Sequence, residues 1–235
     1  MTPFFGELLG TFILIVLGNG VNANVSLSKT YGNNSGWIVI SFGWAIAVFV
    51  AVFIAGPISG AHINPAVTIG LAIADKFPWN SVPAYILAQL IGAFFGASAA
   101  FLHYRPHFKA TNNPEAKLGI FSTGPAIRST FDNLASEVIG TFVLVFGVFF
   151  LVSGNGLGSL DALPVGLLVL GIGLSLGGST GYAINPARDL GPRIFHALAP
   201  IPGKRDSNWR YAWIPVLGPT IGATLAGFLF SRSEE

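Results

Sequence analysis

The chain has no cysteine among its 235 residues. Disulfides and thiolate metal sites are therefore excluded, and cysteine usage is silent about compartment. Charge is scarce too: only 9% of residues are Asp, Glu, Lys or Arg, where a soluble domain carries roughly a quarter. So little charge cannot clothe a surface against water, so lipid must cover much of it. The formal net charge of +2 is too small to argue for nucleic acid or an acidic partner. Phosphate-cradling loops, nucleophile elbows and metal-binding pairs are missing. His103, His107 and His196 are not spaced as a metal site. No enzyme chemistry and no cofactor is expected. The N-terminus lacks a basic segment and Glu7 interrupts its apolar run, so the first helix is expected to stay uncleaved. The tail Ser231–Glu235 leaves little room for a regulatory segment.

Apolar length is what the chain has. A membrane span needs about 20 mostly apolar residues. Six stretches qualify: approximately Phe4–Ser26, Trp37–Ala55, Val82–Tyr104, Phe131–Ser153, Leu163–Gly178 and Tyr211–Phe230. The fifth is short and glycine-rich. Two further helical pieces, Pro65–Ala74 and Pro186–His196, are too short to span and fit re-entrant half-helices. The longest polar connection runs from Arg105 to Thr130. Gly6-x-x-x-Gly10 and Gly92-x-x-x-Gly96 are small-residue faces for helix packing.

The two halves repeat. Gly6-Glu7-Leu8-Leu9-Gly10-Thr11-Phe12 matches Ser136-Glu137-Val138-Ile139-Gly140-Thr141-Phe142. Asn64-Pro65-Ala66 matches Asn185-Pro186-Ala187. The chain is thus one all-α membrane domain over 1–235, with repeats at about 1–104 and 131–235 joined by 105–130. Each repeat holds three spans and a half-helix, and an odd number of spans inverts the second copy. Inverted repeats with broken helices place a solute site near the midplane.

Asparagine is a strong helix N-cap, and proline at the first helical position loses nothing, because its absent N–H would have had no partner. Capping uses the side-chain oxygens of Asn64 and Asn185. Their amide nitrogens stay free to donate to a solute. Each helix start carries roughly +0.5 of an elementary charge, so two of them meeting repel cations and protons while neutral hydroxyl-bearing molecules are accepted. Gly60, Ala61, His62 and Ile63 precede the first cap, and Gly181, Tyr182, Ala183 and Ile184 the second. These runs are expected to be extended, with unpaired carbonyls lining the lumen as acceptors. A ladder of acceptors opposite apolar side chains suits a polyol.

Other polar residues stand at membrane depth. A charge at the bilayer centre costs at least ~2.5 kcal/mol, so Arg188 is expected to face water or protein acceptors as a lumen donor. The alternative is an ion pair with Asp189. Glu7 and Glu137 are expected to accept hydrogen bonds from the irregular backbone ahead of each half-helix. Gln89 is expected to bond between helices. His62 reads as a hydrogen-bonded structural histidine rather than a pH sensor.

Ser59-Gly60-Ala61-His62-Ile63-Asn64-Pro65-Ala66-Val67-Thr68 and Gly181-Tyr182-Ala183-Ile184-Asn185-Pro186-Ala187-Arg188-Asp189 resemble the two signature loops of the aquaporin and aquaglyceroporin family, and the likeness covers nearly the whole chain. The resemblance implies an aquaporin-like fold of six helices and two half-helices. It also implies a homotetramer with one pore per protomer, and cytoplasmic termini in the cell membrane. Its four-residue filter maps to Trp44, Gly173, Tyr182 and Arg188. Gly173, where water-selective members carry histidine, together with Asp189, Arg193 and Pro215-Val216, looks like the glycerol facilitator type. Asp189 would brace the loop. Tyr182, in place of a common phenylalanine, adds a hydroxyl to the filter. The implied solutes are glycerol and water, with urea, dihydroxyacetone or undissociated lactic acid as alternatives. An ion-coupled transporter and a membrane-junction protein are the competing classes. The basic residues Lys29, Arg105, Lys109, Lys117, Arg128, Lys204, Arg205 and Arg210 fall on the face opposite the termini, which by the positive-inside rule would place the termini outside.

Overall fold

Most helices begin where the sequence offers a capping side chain or a proline; the one that starts at Trp37 has neither. The computed structural model describes residues 1–151 and 157–233, apart from the side chain of Ser159. The helices are α1 (Pro3–Ser26), α2 (Trp37–Ser59), α3 (Pro65–Ile73), α4 (Val82–Ala110), α5 (Pro114–Phe121), α6 (Thr130–Leu151), α7 (Leu163–Ser175), α8 (Pro186–Leu198) and α9 (Ile214–Ser233). No strand occurs among the described residues. Five of the helices are long and apolar enough to cross a membrane. The fifth expected span, α7, is shorter, with 13 residues, about 20 Å at 1.5 Å per residue. The expected end of the fourth span at Ser153, and the tail residues Glu234 and Glu235, lie outside the described residues.

The repeat governs the packing. In the first half α1 packs on α2 and α4, and in the second α6 packs on α7 and α9. Each half-helix then crosses over: α3 lies against α9, and α8 against α4. The α1–α4 and α6–α9 contacts are close because glycine sits at matching positions. A Cβ on Gly92 would stand 2.3 Å from the Leu8 carbonyl oxygen, and one on Gly222 2.4 Å from that of Val138. These backbones touch, as small-residue faces permit.

The 105–130 connection differs from expectation. Helix α4 continues through Pro106 to Ala110, and α5 follows. The Asn113 side chain accepts from Glu115 N (3.0 Å) and Ala116 N (3.2 Å), and Pro114 occupies the first helical position. That is the helix-start chemistry of the Asn-Pro-Ala loops, used a third time. Helix α5 rests on α1 and α8.

Four of the eight cations of this face are committed to the fold. Lys117 Nζ donates to the Pro202 carbonyl. Lys204 Nζ donates to the carbonyls of His196 (2.6 Å), Ala197 (2.8 Å) and Ala199 (2.8 Å), satisfying the orphan acceptors at the end of α8. Arg128 bonds Asn208 Oδ1 at 2.9 Å. Arg205 pairs with Glu115 and Asp206, and its hydrogen bonds hold the Asp206 carboxyl below the ordinary carboxylate range.

Candidate functional site

The half-helices meet tip to tip. Asn64 Oδ1 accepts from Ala66 N at 2.9 Å, and Asn185 Oδ1 from Ala187 N at 3.0 Å and Arg188 N at 3.2 Å. Both asparagines are N-caps, as expected, with Pro65 and Pro186 opening the helices and Ala66 and Ala187 fully buried behind them. Their amide nitrogens are not free. Asn64 Nδ2 donates to the Ile184 carbonyl (2.8 Å), and Asn185 Nδ2 to the Ile63 carbonyl (2.9 Å). Each buried tip thus satisfies the carbonyl that ends the opposite loop. An amide nitrogen carries two hydrogens, so one N–H per asparagine remains for a visitor. Ile63 and Ile184 are correspondingly the two carbonyls of the expected ladder that already have partners.

The loops before the tips are strained alike. Gly60 and Gly181 have φ of +82° and +81°, the left-handed region open to glycine. Ala61 (+52°), Ile63 (+44°), Tyr182 (+37°) and Ile184 (+43°) share that region, where a β-branched residue is an outlier. The buried carboxylates hold them there. Glu7 accepts from His62 N (2.9 Å), Ile63 N (2.6 Å), Ser59 Oγ (2.7 Å) and Gln89 Nε2 (2.7 Å). Glu137 accepts from Ala183 N (3.0 Å), Ile184 N (2.9 Å) and Thr180 Oγ1 (2.7 Å). Gln89 also bonds Thr68 Oγ1 at 3.0 Å, and His62 Nδ1 lies 3.1 Å from the same hydroxyl, its ring packed against Phe77 and Tyr85.

Two cavities approach each other through the bundle. The larger, about 1440 Å³, opens on the side of the termini and runs past Gly60–Asn64 and Tyr182–Asn185. The smaller, about 250 Å³, opens beside α5 and is lined by Asn22, Thr123 and Gly181 among others. Trp44, Tyr182 and Arg188 line both. The Arg188 guanidinium stands 4.2 Å over the Trp44 ring, a contact worth about 0.5–2 kcal/mol. Its Nη1 is buried and has no hydrogen-bond partner among the described residues.

Behind this constriction stands Gly173. A Cβ there would lie 3.0 Å from Tyr182 Cζ and 3.1 Å from its hydroxyl. Glycine therefore makes the room that the tyrosine ring fills. The Tyr182 hydroxyl is buried without a well-formed hydrogen bond among the described residues; it sits in the Gly173 recess near Ser41, so the expected added group in the opening is a ring edge rather than a hydroxyl. Trp37 closes the recess, its ring edge-on to Tyr182 and its Nε1 donating to the Gly173 carbonyl at 2.9 Å.

Asp189 pairs with Arg193 (2.7 Å) rather than Arg188, and accepts from Thr123 N and Oγ1, both at 2.7 Å. Arg193 continues to the carbonyls of Thr123, Ser207 and Asn208. These bonds tie the start of α8 to Thr123 of the 105–130 connection. Sequence reasoning missed Ser59 and Thr180, although they stand at the same offset as the two asparagines. Thr123, Trp37, Ser41 and Asn22 reach the site across helices and leave no local signal. The histidines His103, His107 and His196 form no cluster able to hold a metal among the described residues.

Comparison with known proteins agrees with this geometry. A family model described as "Major intrinsic protein" matches residues 1–230. The chain is 56% identical to the glycerol uptake facilitator protein of Bacillus subtilis (strain 168), over 99% of this chain and 85% of that one. It is 53% identical to glycerol uptake facilitator protein 3 of Lactiplantibacillus plantarum, covering 96% and 94% of the two chains. The X-ray structure of the aquaglyceroporin from Plasmodium falciparum superposes with a TM-score of 0.86 at 33% identity, covering 97% of this chain and 94% of that one.

Proposed function

The chain belongs to the major intrinsic protein family and is a membrane channel, not an enzyme, and we propose that it conducts glycerol passively through the constriction of Trp44, Gly173, Tyr182 and Arg188. The observation that carries this reading is the recess at Gly173. It seats an aromatic edge beside Trp44 and leaves Arg188 facing both cavities. A glycerol molecule has a hydrocarbon edge and three hydroxyls. The Trp44 and Tyr182 rings receive the edge. The guanidinium and the backbone carbonyls of Gly60–His62 and Gly181–Ala183 exchange hydrogen bonds with the hydroxyls, so the solute sheds water without losing its partners. At the tips the remaining N–H of Asn64 and of Asn185 donates to the passing oxygen. Two helix starts and a guanidinium make the passage electropositive, which excludes cations and protons.

Water, being smaller, passes too. Urea and undissociated lactic acid share glycerol's lack of charge and follow it at lower rates. The protomer conducts by itself within a homotetramer of the cell membrane, its termini cytoplasmic. The orientation follows the family resemblance; the opposing charge bias is halved, because Lys117, Lys204, Arg205 and Arg128 are bound by the fold of their own face.

Ion coupling is disfavoured, because the carboxylates of Glu7, Glu137 and Asp189 are all engaged by donors of the loops. The test is stopped-flow re-swelling of reconstituted vesicles. Glycerol uptake proportional to the gradient and indifferent to ionophores is expected, with lactic acid entering at low pH and not at neutral pH. Fast water efflux without glycerol re-swelling would make this a water pore. Saturable uptake abolished by an ionophore would make it a transporter.

A further inference from the structure

Helix α1 presents two residues one turn apart to the filter tryptophan. The first is Gly18: a Cβ there would stand 2.3 Å from Trp44 Cη2. The indole therefore lies directly on the α1 backbone, in a slot that any side chain would fill. The second is Asn22, buried beside it. Trp44 Nε1 donates to Asn22 Oδ1 at 3.1 Å. The other end of the amide is fixed as well. Asn22 Nδ2 donates to the Ile120 carbonyl at 3.3 Å and faces that of Gly119 at 3.5 Å. Those are carbonyls of the last turn of α5, which have no partner within their own helix.

The direction of the amide follows from this arrangement. Turned over, it would set its N–H groups against the indole N–H and its oxygen against two carbonyls, losing every bond. Asn22 is therefore held as an acceptor toward Trp44, and the indole N–H, the only polar group of that side chain, is fully used.

We propose that Asn22 is a positioning residue for glycerol selectivity. It fixes the plane over which the Arg188 guanidinium lies at 4.2 Å, and it withholds the indole N–H from the passing solute. Beside the guanidinium, the indole then offers the passage only its ring carbons. A free indole N–H would hold water at the narrowest point and leave the ring able to turn into the opening. Either change favours water over a solute that needs an apolar wall. The inference rests on the glycerol reading above.

The test is a four-protein cycle in vesicles: wild type, Asn22→Val, Trp44→Phe and the double variant, each measured for glycerol and water permeability. Phenylalanine has no N–H to bond. With Trp44 in place, Asn22→Val is expected to lower the glycerol-to-water ratio roughly two- to tenfold, the range for one net hydrogen bond. On the Trp44→Phe background it is expected to leave the ratio nearly unchanged. An equal drop in both backgrounds would mean that Asn22 acts through α5 and overturns the assignment, as would no drop in either. Asn22→Ser, too short to reach the indole but still polar, replaces the valine variant if that does not assemble. A wild-type channel that fails to pass glycerol overturns the reading of function itself, a result distinct from either outcome of the cycle.

Discussion

In the first repeat Glu7 clasps the loop before Asn64; in the second Glu137 clasps the loop before Asn185. The loops have the same alternation of left-handed residues, and each tip bonds the carbonyl that ends the other loop. Past the caps the repeats diverge. Val67 and Thr68 follow the first tip, and Thr68 is absorbed by Gln89 and His62. Arg188 and Asp189 follow the second, and Asp189 is absorbed by Arg193 and Thr123 so that Arg188 keeps its face to the cavities. The difference teaches a division of labour. In the channel proposed above, what is duplicated supplies the charge barrier, which gains from two opposed helix starts, and what occurs once supplies the filter, a single cation against a single aromatic wall.

The duplicated part is where the largest effects are expected. Glu137→Ala leaves two buried backbone N–H groups and a hydroxyl without their acceptor, at a cost of about 2–5 kcal/mol, on loops whose dihedrals relax once the clasp is gone. Glu7→Ala should cost about as much by the same reasoning. Both variants are expected to lose most of their folded protein, read as monodisperse protein surviving a temperature series in detergent. If only one of them does, the clasps are not equivalent and the comparison breaks. Gly173→His touches the unduplicated part alone. Its side chain needs the volume that Tyr182 and Ser41 already occupy, and overpacking costs about 1–3 kcal/mol. Glycerol flux is expected to fall roughly tenfold while water flux falls less. Equal losses would show general collapse instead of a narrowed filter.

Legibility in the sequence follows the same line. Both half-helices, both clasps and the inverted repeat could be read, because helix starts are local chemistry and a repeated motif doubles its signal. Gln89 and Asp189, expected as supports, and His62, expected as a hydrogen-bonded histidine, each have a hydrogen-bond or ion-pair partner near the loops. The state of the asparagine amides was not: that each is half used by the opposite tip depends on how closely two segments 120 residues apart meet. Helix α5 was missed although Asn113-Pro114 carries the same signal as Asn64-Pro65, because it lies in a polar stretch with no apolar run behind it. The continuation of α4 past Pro106 was missed for a complementary reason. Proline marks a probable helix end, but here the apolar contacts of Phe108, fully buried against Phe101 and Phe121, outweigh the lost hydrogen bond. The tie between Asn22 and Trp44 joins two helices through side chains and leaves no pattern in either.

The smallest expected effect sharpens what α5 contributes to the filter. Asn113→Ala removes the cap of an exposed turn and should cost about 1 kcal/mol, visible as a modest fall in thermal survival. Helix α5 touches the filter in two ways. Its last turn accepts from Asn22, and the Thr123 that follows it anchors Asp189. Both contacts lie at the C-terminal end, whereas the cap acts at the N-terminal end. Lys117, one turn in, pins the middle of the helix to Pro202. Fraying of the first turn should therefore stop short of the filter, leaving the glycerol-to-water ratio within about twofold of wild type, an effect below the worth of one net hydrogen bond. A larger change would mean that α5 moves as a rigid unit and that its start, not only its end, sets the position of the aromatic wall.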